Sequence, residues 1–414
     1  MGWNETKAAY RFFDNDKVSP DAIYAAHREA TLERMLGQSI LLAVQDTCAF
    51  NFTLHRATKG LGPIAKEGLS GFFLHSCFAV STEGVPQGLL AHRLWARPNQ
   101  DKETRKPPNR RPLEEKESNR WIEVTEEAAQ GLPLGTKVVM VGDRESDIYD
   151  LFVLACQKGY DVLIRAVRNR RLVGDKDLLW NKVAKEPILG TTTFIRPRSK
   201  DHPEREVTAT VQTATVTFQT PVLRRKDKLA NPTVNAVLLT ETSTPPEGEE
   251  PVSWLLLTTL PTTSLADALQ CLTWYTYRWR IERFHYTLKS GCLIEKLQLE
   301  TADRLMRALA VFCVVAWRLL WITYHARSSP DAPCTVVLSQ TEWSALYAAT
   351  NRTAKIPEQP PDLKTAIRWL AKLGGFLGRK KDGDPGVKVL WRGFRRLGDL
   401  ADMWEVCNPT NTYG

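Results

Sequence analysis

The 414-residue chain lacks the features that would assign it to several common functional classes. Its eight cysteines, Cys48, Cys77, Cys156, Cys271, Cys292, Cys313, Cys334 and Cys407, include no C-x-x-C pair, so neither a zinc ribbon nor a disulfide framework is indicated. Reduced, mostly buried thiols and a cytoplasmic location are the simplest expectation. No G-x-x-x-x-G-K-[ST] loop and no convincing G-x-G-x-x-G unit occurs, so a nucleotide cofactor is not expected. The N-terminal MGWNETKAAYRFF has no apolar stretch of signal-peptide length, and the apolar run Ala308 to Trp317 is broken by Arg318. That run reads as a buried helix, and no membrane partner is expected. Internal repeats and long low-complexity tracts are also missing.

What remains is a globular composition, 43% apolar, with a net charge of +9. The length exceeds one ordinary core, so two or three domains are expected. The positive balance favours a polyanionic partner, with nucleic acid foremost. Residues 1–38 read as short helices that could touch DNA, Ser19 being the N-cap of the second. SILLAVQDT, GFFLHSCFAVST and GVPQGLLAHRLWA read as consecutive strands. KVVMVGD, a helix from near Ser146 and YDVLIRAV form a β-α-β unit with neighbouring parallel strands. This pattern fits an α/β, RNase H-like layer. The charged loop DKETRKPPNRRPLEEKE reads as a linker or a DNA-facing loop. Residues of about 169–260 read as an antiparallel β insertion. Beyond residue 329 the chain reads as a helical C-terminal module, with helices around TEWSALYAAT and DLKTAIRWLAKL.

The segment YTYRWRIERFHYTLK, Tyr275 to Lys289, is the most informative. At 100° per residue, Tyr275, Arg278, Glu282 and Lys289 share an arc of about 60°. An apolar seam of Trp274, Tyr277, Ile281, Phe284 and Leu288 lies about a quarter turn away. One carboxylate within a cationic stripe suits a helix that holds a divalent cation and grips the phosphates around it. By charge alone the same stripe describes a solvated, salt-bridged face, because Arg278 and Glu282 are an ordinary i, i+4 pair. His285 falls toward the apolar seam and reads as packing. Asp46 and Asp143 stand at the ends of SILLAVQD and KVVMVGD, where an aspartate is as readily a turn or cap residue. The cluster Arg379, Lys380, Lys381, Arg392, Arg395 and Arg396 could meet DNA or could be a solvated helix surface.

Tyr-x2-Arg-x3-Glu-x6-Lys, with VGDRESDIYDLF, PVSWLLLTTLP and AIRWLAKLGGF, resembles the cut-and-paste DDE transposases of the insertion-sequence-4 family over most of the chain. The resemblance implies an RNase H-like, retroviral-integrase-like catalytic domain over residues 39–328 and a dimerisation module over 329–414. It implies a catalytic and metal-binding triad of Asp46, Asp143 and Glu282, with Asp143 preferred over Glu145 and Asp147 as the first residue of DRESD. Three oxygen donors without clustered His or Cys suit Mg2+, with Mn2+ able to substitute.

By the same resemblance Tyr275, Arg278, Lys289 and Arg165 contact DNA phosphates, and Trp254 and Trp279 stack a flipped base. The implied activity is cleavage of transposon ends by nicking, hairpin formation and hairpin opening, then strand transfer into target DNA. The implied partners are double-stranded inverted-repeat ends, target DNA and a second copy of the chain in a synaptic complex, at the nucleoid of a bacterial cell. Relatives usually carry more residues before the segment matching AAYRFFDND, so weaker end discrimination is expected here. A catalytically silent regulator and a stand-alone RNase H-like nuclease are the competing readings.

Overall fold

The computed structural model describes residues 3–65, 68–98, 113–196, 203–379 and 381–408. Most of the charged loop at 101–117 and Lys380 lie outside the described residues. The chain opens with helices α1 (Trp3–Asp14) and α2 (Pro20–Arg34). Ser19 caps α2 by accepting from the Asp21 N–H at 3.1 Å. Strand β1 (Ile40–Asn51) follows, then the short β2 (Gly62–Pro63), β3 (Ser70–Val80) and β4 (Pro86–Trp95). Helix α3 (Asn119–Ala128) leads to β5 (Lys137–Gly142), α4 (Tyr149–Lys158) and β6 (Asp161–Arg165). Then come α5 (Leu179–Ala184), β7 (Ile188–Arg196), β8 (Arg205–Thr217), β9 (Thr233–Glu241) and β10 (Ser253–Thr258).

Among the described residues these strands form one mixed sheet. β4, β3 and β1 pair antiparallel, while β1, β5 and β6 pair parallel. The order β4-β3-β1-β5-β6 is that of an RNase H-like layer. The remaining strands, β10, β9, β8 and β7, continue the sheet antiparallel from β6. β1 explains why the centre is stable. Leu42 and Val44 enter the core on one face, while Leu41 and Ala43 pack with Val124 and Ala128 of α3 on the other, all fully buried. A strand covered on both faces needs this continuous apolar run. The helix expected from near Ser146 starts three residues later. A 3-10 turn over Arg144–Ser146, capped by Asp143, occupies its place.

The first face of the sheet is covered by α6 (Leu265–Thr276), α7 (Trp279–Tyr286) and α8 (Ala302–Ser328). By length and composition α8 is apolar enough to cross a membrane, but its apolar side chains are shared between two cores. Ala308, Leu309, Cys313 and Ala316 pack with the sheet. Leu319 and Ile322 pack with α9 (Gln340–Asn351), α10 (Leu363–Leu373) and α11 (Val387–Cys407). At 1.5 Å per residue α8 is a rod of roughly 40 Å that ties the helical end to the sheet.

Candidate active site

Val44 of β1 and Val141 of β5 are partners in the parallel ladder. Asp46 and Asp143 each follow two residues later, so both arrive level and on the face that Val44 and Val141 bury toward α7. Asp46 does not end its strand. β1 runs on to Asn51 because residues 47–51 keep pairing with β3, and only the β5 side is released. The Asp46 side chain is 18% exposed. Burial, then Asp143 and more weakly Glu282, push its carboxyl up to about 7, against the Thr47 N–H at 2.7 Å and the Arg278 charge. Asp143 accepts the Glu145 N–H at 2.8 Å and so anchors the turn behind it.

The third carboxylate comes from α7. Ser264 and Asp267 form a capping box that starts α6. The continuous helix expected from Tyr275 to Lys289 is interrupted twice. Successive i, i+3 bonds tighten the chain at Tyr277 and Arg278, and a π turn over Thr287–Gly291 widens it, closed by the Cys292 N–H to the Thr287 carbonyl at 2.8 Å. Uniform 100° spacing therefore misplaces the stripe. Tyr275 and Arg278 are turned inward, 3% and 8% exposed, whereas Glu282 stays half-buried with its Oε1 2.7 Å from Arg278 Nη2. The apolar seam is as expected: Ile281, Phe284 and Leu288 are fully buried.

Arg165, Trp254, Tyr275, Arg278 and Trp279 come together beside Glu282. Trp254 meets Tyr275 edge to face at 5.7 Å between centroids, and the Arg165 guanidinium carbon is 5.8 Å from the Trp254 ring. Arg165 also donates to the Ser253 carbonyl at 3.4 Å. Burial pushes the Tyr275 hydroxyl pKa up. Burial first, and the Arg144 and Arg278 charges more weakly, pull Arg165 down. Trp279 is 52% exposed with the Arg278 guanidinium carbon 4.9 Å from its ring. Arg278 Nε is buried without a hydrogen-bond partner. Lys289, within the π turn, lies farther along β1, where its Nζ is 3.6 Å from Glu295 Oε1 and 5.5 Å from the Phe50 ring and its charge acts on Cys48.

Several neighbours escaped the sequence reading. His285 is buried, as packing requires, but its Nδ1 is 3.9 Å from Asp46 Oδ2 and its Nε2 is 3.1 Å from Ser76 Oγ. Burial first, and Lys289 second, pull the imidazole pKa down to about 3, so His285 is neutral and the contact is not an ion pair. On the opposite face Arg120 donates to Thr47 Oγ1 at 3.0 Å and pairs with Glu145 at 3.2 Å. Glu145 is thus turned away from Asp46. Asp147 is fully buried, accepting the Val167 and Arg168 N–H groups at 2.8 Å each and pairing with Arg170. Both alternatives to Asp143 therefore have structural partners. The readable signal for these neighbours was the polar run Gln45-Asp46-Thr47 inside an apolar strand.

The donor set suits a hard cation: Asp46, Asp143 and Glu282 supply only oxygen, and the Asp46 carboxyl, pushed up first by burial and then by Asp143, is a group whose charged form a cation would favour. Among the described residues no three His, Cys, Asp or Glu side chains stand close enough as placed to share one ion, and Glu282 is drawn to Arg278.

Comparison with known proteins places the chain in a family. Residues 314–406, the second half of α8 through α11, match the family described as the transposase Tn5 dimerisation domain. The chain is also similar, at TM-score 0.34 and 9% identity, to a solved chain described as a cryo-EM structure of the piggyBac transposase synaptic complex with hairpin DNA. That similarity covers 91% of this chain and 59% of the other, so this chain spans about three fifths of that relative's length. Residues 93–317, more than half of the chain, match the transposase DDE domain, and the protein belongs to that family, with a Tn5-like C-terminal region.

Proposed function

We propose that this chain is a cut-and-paste DNA transposase whose phosphodiester chemistry occurs at Asp46, Asp143 and Glu282. The observation that carries the reading is the level arrival of Asp46 and Asp143 on one face of the parallel pair, with Glu282 presented by α7. These three carboxylates would hold Mg2+ or Mn2+. When bound, the ions supply an activated water or 3'-hydroxyl on one side of the phosphodiester and stabilise the leaving oxygen on the other.

The chain's own residues supply the rest. Arg278 has a spare buried donor and stands between Glu282 and Trp279, placed to grip a phosphate next to the cut. Arg165 and the Tyr275 hydroxyl hold the strand beside it. Trp254 and Trp279 offer indole faces to a base extruded when a 3'-end is bent into a hairpin. The steps are nicking, hairpin formation, hairpin opening and strand transfer. The helical region from the second half of α8 onward pairs two copies across two inverted-repeat ends.

The test uses DNA carrying the repeats that flank the gene. The full chain should cut this DNA only with Mg2+ or Mn2+ and should join the released end to a plasmid. Asp46→Ala, Asp143→Ala and Glu282→Ala should each abolish cutting while end binding persists, because affinity rests on phosphate contacts. Cutting without joining would reduce the protein to a nuclease, and binding without cutting to a regulator.

A further inference from the structure

The exposed residues of α7 continue away from the carboxylates. Trp279, Arg283 and Tyr286, at i, i+4 and i+7, share one side of the helix. Their line starts beside Arg278 and Glu282 and ends against the first turn of α11. Tyr286 is 40% exposed. The Arg283 guanidinium carbon is 4.9 Å from its ring and Lys388 Nζ of α11 is 5.7 Å from the same ring. Both cations are exposed, and among the described residues neither has a carboxylate partner. The acid of the same helix, Glu282, is held by Arg278 at 2.7 Å. Val387, one residue before Lys388, is buried in the same core as Phe284 and Leu288, so α11 presents Lys388 from a fixed first turn.

Two like charges against one ring repel each other, and a bridging anion would relieve them. An exposed aromatic between unpaired cations is the composition of a strand-binding surface, in which cations follow the phosphates and the ring stacks a base. The seven-residue span rises about 10 Å, room for roughly three nucleotides at ~3.4 Å each. Resting on the function proposed above, we infer that Arg283, Tyr286 and Lys388 form a track for the DNA strand leaving the carboxylate site. Continuity with Arg278 and Trp279 favours DNA over an acidic protein segment.

The test is fluorescence anisotropy of the full chain, without divalent metal, on a labelled duplex and on a single strand of the same length across a KCl series. Removing two phosphate contacts in Arg283→Ala/Lys388→Ala should flatten the slope of log affinity against log salt by roughly 2 on the duplex. Arg283→Lys/Lys388→Arg should keep the wild-type slope, which separates lost charge from lost folding. Tyr286→Leu should weaken single-strand binding at least about fivefold and duplex binding less. A wild-type slope in the folded double alanine variant overturns the track while leaving the proposed function intact. Loss of self-association with that slope unchanged overturns it in favour of a protein contact. A wild-type chain that binds no DNA overturns both.

Discussion

Arg278 holds Glu282 by an i, i+4 ion pair of 2.7 Å, so the third carboxylate is engaged by a cation of its own helix. Under the proposed function, Arg278 would compete with an ion for Glu282 Oε1. Arg278→Ala should therefore bind Mn2+ more tightly in the absence of DNA while cutting DNA more slowly. A partly exposed pair contributes ~1 kcal/mol, so the gain should be about fivefold by calorimetry. The cutting rate should fall because the phosphate grip is lost. Weaker Mn2+ binding in this variant would mean that Arg278 positions Glu282 for the ion rather than competing for it.

The Asp46 carboxyl, held at about 7 in the fold against an ordinary 3.8, makes the metal-free protein sensitive to alkali. The folded state keeps the proton more firmly than the unfolded one, so this contribution is full below pH 3.8 and is lost as pH rises through 7. Its size is at most ~4 kcal/mol. His285, pulled down to about 3 from 6.5, acts in the opposite sense and loses its contribution as pH falls from 6.5 toward 3. Asp46→Asn removes only the first effect. Its stability advantage over wild type in urea with EDTA should grow between pH 4 and 7 and level off above. A pH-independent difference would show that Asp46 is not held protonated by its surroundings.

The sheet was legible because its signals are local. Apolar runs ending in turn residues marked β1, β3, β4, β5 and β6, and the β-α-β unit dictated that β5 and β6 be parallel. Within the β insertion β7 gives a weaker signal, because Ile188–Arg196 has threonines and alternating exposure rather than an apolar run. The helix Tyr275–Lys289 was legible in composition but not in winding. Nothing in the residue types announces the tight turn at Arg278 or the π turn at Thr287, which depend on Trp274, Tyr275 and Leu288 all being packed into one core. The same limit hid His285 and Arg120, whose partners Asp46 and Thr47 lie 239 and 73 residues away in the chain.

Trp254 sits at a β10 position where its ring meets Tyr275 and Arg165 without being fully buried. Under the proposed function, this half-buried indole beside the Tyr275 ring and the Arg165 guanidinium would stack an extruded base. Trp254→Ala should slow hairpin formation by ~1–3 kcal/mol of lost stacking and leave nicking nearly unchanged, so nicked ends accumulate on a denaturing gel. Equal slowing of both steps, with a lowered melting temperature, would assign the residue to packing.

Gly142 places Asp143. A Cβ there would clash with both Oγ and Cβ of Ser146 and lie 3.2 Å from Trp121 Cζ3. Ser146 cannot swing aside freely, because it is buried and its hydroxyl donates to the Asp143 carbonyl at 2.6 Å. Gly142→Ala should therefore push the Arg144–Ser146 turn outward and carry Asp143 off its level with Asp46. The stability cost should be about 1–3 kcal/mol, typical of overpacking. Cutting should fall by much more than that unfolding explains, since a misplacement of ~1 Å can cost roughly a hundredfold. Adding Ser146→Gly removes both clashing atoms of residue 146 and should restore part of the activity. End binding should stay near wild type in both variants. A Gly142→Ala protein that cuts at the wild-type rate would show that the turn tolerates the methyl group and that Asp143 is not placed by this contact.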